Sequence, residues 1–244
     1  WMRYCAISPD GTSIAFTYKG DIYTVPVNGG KAAQITTNAA HDTHPVWSPD
    51  GKQIAFASDR MGSMDIFVVD REGGIPKRLT THSGNETPVA FKDADHILFL
   101  ANVMPSAEDA KFPSGQFQQV YEVSTTGDRP VMFSSMPMED ISINKTGNAL
   151  LYHDKKGYED PWRKHHTSSI TRDIWLCSLD GKRSYRKLSS FNGEDRTPVW
   201  ASDGKSFYYL SEEKGSFNVF KRALDGTTST QLTHHTKHPV RFLT

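Results

Sequence analysis

Chemistry-bearing side chains gather in four short polar segments: NAAHDTHP before Val46, HSGNETP before Val89, FNGEDRTP before Val199 and HHTKHP before Val240. Their polar members are His41, Asp42, His44, Asn85, Glu86, Glu194, Asp195, Arg196, His234, His235, Lys237 and His238. A set of mixed charge suits a peptide or another polar chain better than a phosphate. Neutral imidazoles beside a carboxylate are also divalent-metal ligands, and His41, Asp42 and His44 with His234, His235 and His238 would supply them to a propeller lyase or hydrolase. The plainer alternative is that these are solvated loop tips whose Asp, Asn and Thr bond their own backbone.

A second concentration lies in HDKKGYEDPWRKHHTSSITR, His153 to Arg172, with Tyr158, Trp162, Arg163, Lys164, His165, His166 and Arg172. Aromatic and cationic side chains of this kind are enriched at binding hot spots, and long loops in compact domains are usually functional or disordered. The same segment could instead pack over a sheet edge or dock on another domain of a parent chain. A shorter insertion runs from Ala101 to Gln119. There is no G-x-S-x-G elbow, H-E-x-x-H, phosphate-loop glycine pattern, G-x-G-x-x-G or C-x-x-C, so no catalytic residue and no cofactor are expected. Triads assembled from distant loops leave no such signature.

What must position these residues is a repeat. Aligned on the glycine of a turn, the chain gives AISPDGTSIAF from Ala6, VWSPDGKQIAF from Val46, VAFKDADHILF from Val89, SINKTGNALLY from Ser142 and VWASDGKSFYY from Val199. Each copy continues with a period-two strand (DIYTVPV, DIFVVD, QVYEV, DIWLCSL, NVFKRAL), a glycine turn, and a short strand (QIT, RLT, VMF, KLS, QLT). Four antiparallel strands make one blade, and a lone sheet of this size cannot cover both apolar faces, so blades must stack on one another. The predicted fold is therefore all-β, a β-propeller of four-stranded antiparallel blades. Five repeats are complete, at approximately 5–45, 46–88, 89–140, 141–198 and 199–239, and 240–244 begins a sixth blade or closes a ring. Ring symmetry would bring the polar segments to one rim. Asp21, Asp65 and Asp173 open third strands and should bond a nearby turn; Trp47 and Trp200 should pack between blades.

The chain has 244 residues, 36% hydrophobic and 23% charged, with 28 Lys+Arg balancing 28 Asp+Glu. Balanced charge removes the counterion-release drive of a nucleic-acid binder. Apolar runs such as HILFLANV fall short of the roughly 18 residues of a membrane span, so neither partner is expected. Cys5 and Cys177 are predicted to be buried free thiols.

The string SPDG…IAF…DIY…GG…QIT, and its second copy WSPDG…IAF…DIF…GG…RLT, resemble the WD40-like (PD40) repeats of TolB-type propellers. The third and fourth copies depart from it with KDAD and NKTG. The opening RYCAISPDGTSIAFTYKGDIYTVPVNGG and the insertion WRKHHTSSITRDIW look most like the N-terminal propeller of tricorn-like serine peptidases. That resemblance implies a non-catalytic module that binds, guides or gates peptide, ahead of a PDZ domain and a peptidase core absent here. A TolB-like periplasmic module for a protein partner is the alternative it leaves. Either implies a periplasmic or otherwise exported bacterial address.

Overall fold

The computed structural model describes residues 1–102, 117–157 and 169–244, and every regular element among them is a β-strand. They form two compact units, Trp1–Met136 and Pro137–Leu243. The first unit holds three sheets: β1 (Arg3–Ile7), β2 (Ser13–Tyr18), β3 (Asp21–Pro26) and β4 (Ala33–Gln34); β5 (Asp42–Trp47), β6 (Gln53–Ser58), β7 (Asp65–Asp70) and β8 (Lys77–Arg78); β9 (Glu86–Phe91), β10 (His96–Ala101), β11 (Gln119–Ser124) and β12 (Val131–Ser134). The second holds two: β13 (Met138–Ile143), β14 (Ala149–Asp154), β15 (Ile174–Ser178) and β16 (Ser184–Lys187), then β17 (Asp195–Trp200), β18 (Ser206–Ser211), β19 (Asn218–Ala223) and β20 (Ser229–Gln231). In each sheet, strands consecutive in sequence are neighbours and antiparallel. This is the five-bladed, all-β propeller pattern the repeat predicts.

The repeated letters have local causes. Asp50 accepts the Ser48 hydroxyl at 2.7 Å and the Lys52 N–H at 3.1 Å, while Gly51 sits at φ 69°, a backbone that side chains resist. Asp10 does the same with Ser8 and Thr12, and those bonds draw its pKa down to about 2. In the third sheet Asp93 takes the N–H of Asp95, so KDAD keeps the acid's role without the glycine. The final hydroxyl of QIT, RLT, KLS and QLT accepts the first N–H after the third-strand acid or amide: Ile22 to Thr36, Ile66 to Thr80, Ile174 to Ser189 and Val219 to Thr233, at 3.0, 2.9, 2.7 and 2.9 Å.

The core lies between sheets. Ala15, Ile22 and Ile35 pack with Trp47, Ile54, Phe56 and Phe67 across the first two, and Ala55, Ile66 and Leu79 with Ile97, Phe99 and Tyr121 across the next. In the second unit Leu151, Ile174 and Leu188 meet Phe207, Tyr209 and Phe220. Trp47 Nε1 donates to the Ala6 carbonyl and Trp200 Nε1 to that of Ser142, each at 3.0 Å, so both tryptophans join neighbouring blades as predicted.

Two expectations change. Cys177 is buried, but Cys5 is exposed, because β1 is an edge strand with four of its five residues exposed. Residues 232–244 form no strand, and the Val240 N–H instead bonds the Phe217 carbonyl at 2.9 Å, so the beginning of a sixth blade is not formed.

Candidate functional site

The polar segments are not loops throughout. Asp42, Glu86 and Asp195 are the first residues of the inner strands β5, β9 and β17, and all three are buried, as are Glu194 and Arg196. The picture of solvated tips fails at these positions because strand pairing carries them inward: Asp42 lies opposite Ser58, Glu86 opposite Ala101 and Asp195 opposite Ser211.

In the first unit, both Asp42 carboxylate oxygens accept from Arg60 Nη2 at 2.9 Å, and that guanidinium lies over the Phe67 ring at 4.6 Å. Glu86 accepts the Thr80 hydroxyl, while its Oε1 is buried with no hydrogen-bond partner among the described residues. Burial pushes Glu86 up to about 7; the Thr80 hydrogen bond opposes the rise and the nearby Asp65 charge adds to it. Asp65 pairs with Arg78 at 2.8 Å. His41 is exposed, its N–H held by Asp59 at 2.7 Å, and the His44 ring stacks on Tyr4 with centroids 3.6 Å apart.

In the second unit the structure joins Arg172, Glu194 and Arg196: Glu194 Oε1 lies 3.1 Å from Arg172 Nη1 and 3.4 Å from Arg196 Nη1. Arg196 stacks over Phe217 at 4.2 Å, and burial lowers its pKa despite the Glu194 charge. Arg172 also approaches Glu139, which Lys155 contacts at 2.8 Å and His153 Nε2 at 3.3 Å. Thr197 N–H donates to His153 Nδ1 at 3.2 Å, which places the ring proton on Nε2, facing Glu139. Burial acts to raise Glu139, but His153 and Lys155 outweigh it and hold the group at about 2. Asp195 is pushed up to about 6 by burial, against hydrogen bonds from Ser211 and Ser189.

The remaining predicted residues divide. His235 contributes its backbone, bonded to Asn218 at 2.7 and 3.1 Å, while its side chain, like those of His234, Lys237 and His238, is exposed. Tyr158, Trp162, Arg163, Lys164, His165 and His166 lie outside the described residues. Among the described residues, no three His, Cys, Asp or Glu side chains converge as metal ligands. The third-strand acids tie their strand to the fourth: Asp21 to Gln34 at 3.0 Å, Asp173 to Lys187 at 2.8 Å, and Asn218 in the same role to Thr233 at 2.9 Å.

Sequence reasoning missed Tyr4, Asp140 and Thr197. With His44 these are left-handed at φ 53°, 48°, 52° and 53°, each within the register break of an inner strand. Such a bulge re-aims one side chain per strand. Adjacent blades then touch through it: Tyr4 on His44, and the Thr197 hydroxyl donating to Asp140 at 2.8 Å. The signal was available, since all four stand two residues before the aligned start of their repeat, at Ala6, Val46, Ser142 and Val199. Thr87, at the same position of the third copy, is not left-handed, because there the break falls one step later in the strand.

Comparison with known proteins gives the same architecture. The profile of the tricorn protease N-terminal beta propeller domain matches residues 1–244. Tricorn protease homolog 1 of Streptomyces coelicolor is 25% identical over 219 residues, covering 90% of this chain and 20% of that protein. The chain thus spans about a fifth of the length of that curated relative. Among solved structures, the tricorn protease superposes with a TM-score of 0.73 at 19% identity, covering 98% of this chain and 23% of that one. A putative TolB from Agrobacterium tumefaciens gives 0.72 at 14%, covering 95% and 80%. With its whole length matched by that profile, the chain belongs to the tricorn protease N-terminal beta propeller family.

Proposed function

We propose that this propeller module binds peptide for a larger tricorn-like protein and guides it toward chemistry performed elsewhere. The observation that carries the reading is the recurrence of a left-handed bulge in four inner strands, at Tyr4, His44, Asp140 and Thr197. Each costs on the order of 1–3 kcal/mol of backbone strain, a cost that proteins concentrate at ligand-contacting positions. The buried Arg172, Glu194 and Arg196 network stands behind this surface in the second unit and fixes the strand start from which Thr197 projects.

The test keeps the bulge and changes its side chain. Asn tolerates the left-handed region, so His44→Asn and Asp140→Asn should lower affinity for unstructured peptides several-fold in fluorescence anisotropy while leaving the thermal midpoint nearly unchanged. Peptide affinity unaltered by both substitutions would remove the bulges from the reading. The likeness to a TolB structure favours a second reading, an exported module for a folded protein partner. Capture of one folded partner together with no measurable peptide affinity would select it.

A further inference from the structure

We propose that a cleft of about 730 Å³ in the first unit binds a carboxylate-bearing stretch of peptide, anchored by Arg3, Lys19 and the hydroxyl of Thr17. Tyr4, His41 and Asp59 complete the walls the argument needs. The choice of peptide rests on the binding-module reading above, while the chemistry of the anchor does not.

The first observation is charge. Arg3 and Lys19 line the cleft, and neither forms an ion pair with a carboxylate among the described residues. Asp59, the acid beside them, is already engaged by the His41 N–H at 2.7 Å. The second is an orphaned hydroxyl. Thr17 is 4% exposed, lines the same cleft, and its Oγ1 is buried with no hydrogen-bond partner among the described residues. A buried polar atom left unpaired costs on the order of 1–3 kcal/mol, which a ligand oxygen placed there would offset.

Backbone strain is the third observation. The non-glycine residues with positive φ in this unit are Tyr4, Lys19 and His44; two of them line the cleft, and the third holds the Tyr4 ring at 3.6 Å. The bulge between Arg3 and Ala6 turns Tyr4 from the regular strand direction.

A carboxylate fits this donor set. Its two oxygens match an arginine fork, with further acceptor capacity left for a hydroxyl or an ammonium. A phosphate dianion would meet Asp59 with more negative charge, and a polyanion gains nothing from a chain whose Lys+Arg and Asp+Glu balance at 28 each.

Fluorescence anisotropy on the protein, with a labelled peptide of alternating Glu and Gly blocked at both ends, tests the assignment. Its Gln twin should bind at least about tenfold more weakly, and Arg3→Gln and Thr17→Val should each weaken the Glu peptide by about five- to tenfold. Because the Thr17 hydroxyl has no internal partner, Thr17→Val should keep or raise the thermal midpoint, an outcome that separates lost binding from lost folding. The Gln twin carrying a free C-terminal carboxylate, if it binds as the Glu peptide does, supports the same anchor with the chain end as the carboxylate's source. Equal affinity for the Glu and Gln peptides overturns the proposal, as does displacement by inorganic phosphate at concentrations where acetate has no effect. Binding insensitive to Arg3→Gln and Thr17→Val removes the cleft but leaves peptide recognition standing, and no binding of any peptide removes both.

Discussion

Glu86 shows at the scale of one residue how burial sets chemistry. Its carboxyl is wholly enclosed, one oxygen lacks a partner, and Asp65 stands nearby, so ionisation is held off until about pH 7 against an ordinary value of 4.5. An acid whose folded pKa is raised contributes stability that is complete below its unfolded value and lost as pH rises through the folded one. Glu86→Gln keeps an acceptor for the Thr80 hydroxyl and has no charge to bury. We therefore expect it to stabilise the protein by on the order of 2 kcal/mol in urea unfolding at about pH 8, and to have little effect at about pH 5. A variant less stable than the parent at the higher pH would show that the buried charge is better paired than its geometry indicates. The sequence displayed this acid among polar loop letters; nothing in HSGNETP says that Glu86 opens a strand and faces a second acid.

At the scale of the element, the repeat proved fully legible because its letters have local causes. Asp50 and Gly51 form the turn, Thr80 accepts a third-strand N–H, and the apolar alternation fills the space between sheets. Trp47 adds a tie that crosses blades through Ala6. Replacing it with Phe should cost about 1 kcal/mol for the lost hydrogen bond, whereas Ala should cost about 3–5 kcal/mol because a cavity opens between sheets. Equal losses for the two variants in denaturant titration would show that the ring contributes nothing by packing. What the pattern concealed was the bulge. Alternation of apolar residues does not reveal that Tyr4, His44, Asp140 and Thr197 leave the regular backbone, although their shared offset from the repeat start marks them once the φ angles are known.

For the molecule as a whole, the perturbed acids predict a stability maximum on the acid side of neutrality. Glu86 and Asp195 lose their contributions as pH rises through about 7 and about 6. Glu139 works in the opposite direction: its pKa is depressed to about 2, so its contribution is present above its unfolded value of 4.5 and is lost as pH falls toward 2. Scanning calorimetry should therefore find the thermal midpoint rising from about pH 8 to about pH 5 and falling again below about pH 4. A midpoint that is flat between about pH 5 and about pH 8 would contradict the burial assigned to Glu86 and Asp195.

By itself the sequence determined the blade: strand order, turn chemistry and the need for sheets to stack all follow from short-range pattern, repeated five times. Only tertiary structure decided which polar residues are exposed, which are buried in pairs, and which side chains are re-aimed. Those outcomes depend on contacts between residues far apart in the chain, such as Arg172 with Glu194, Tyr4 with His44, and the enclosure of Thr17 beside Arg3, and no local pattern of letters encodes such distances.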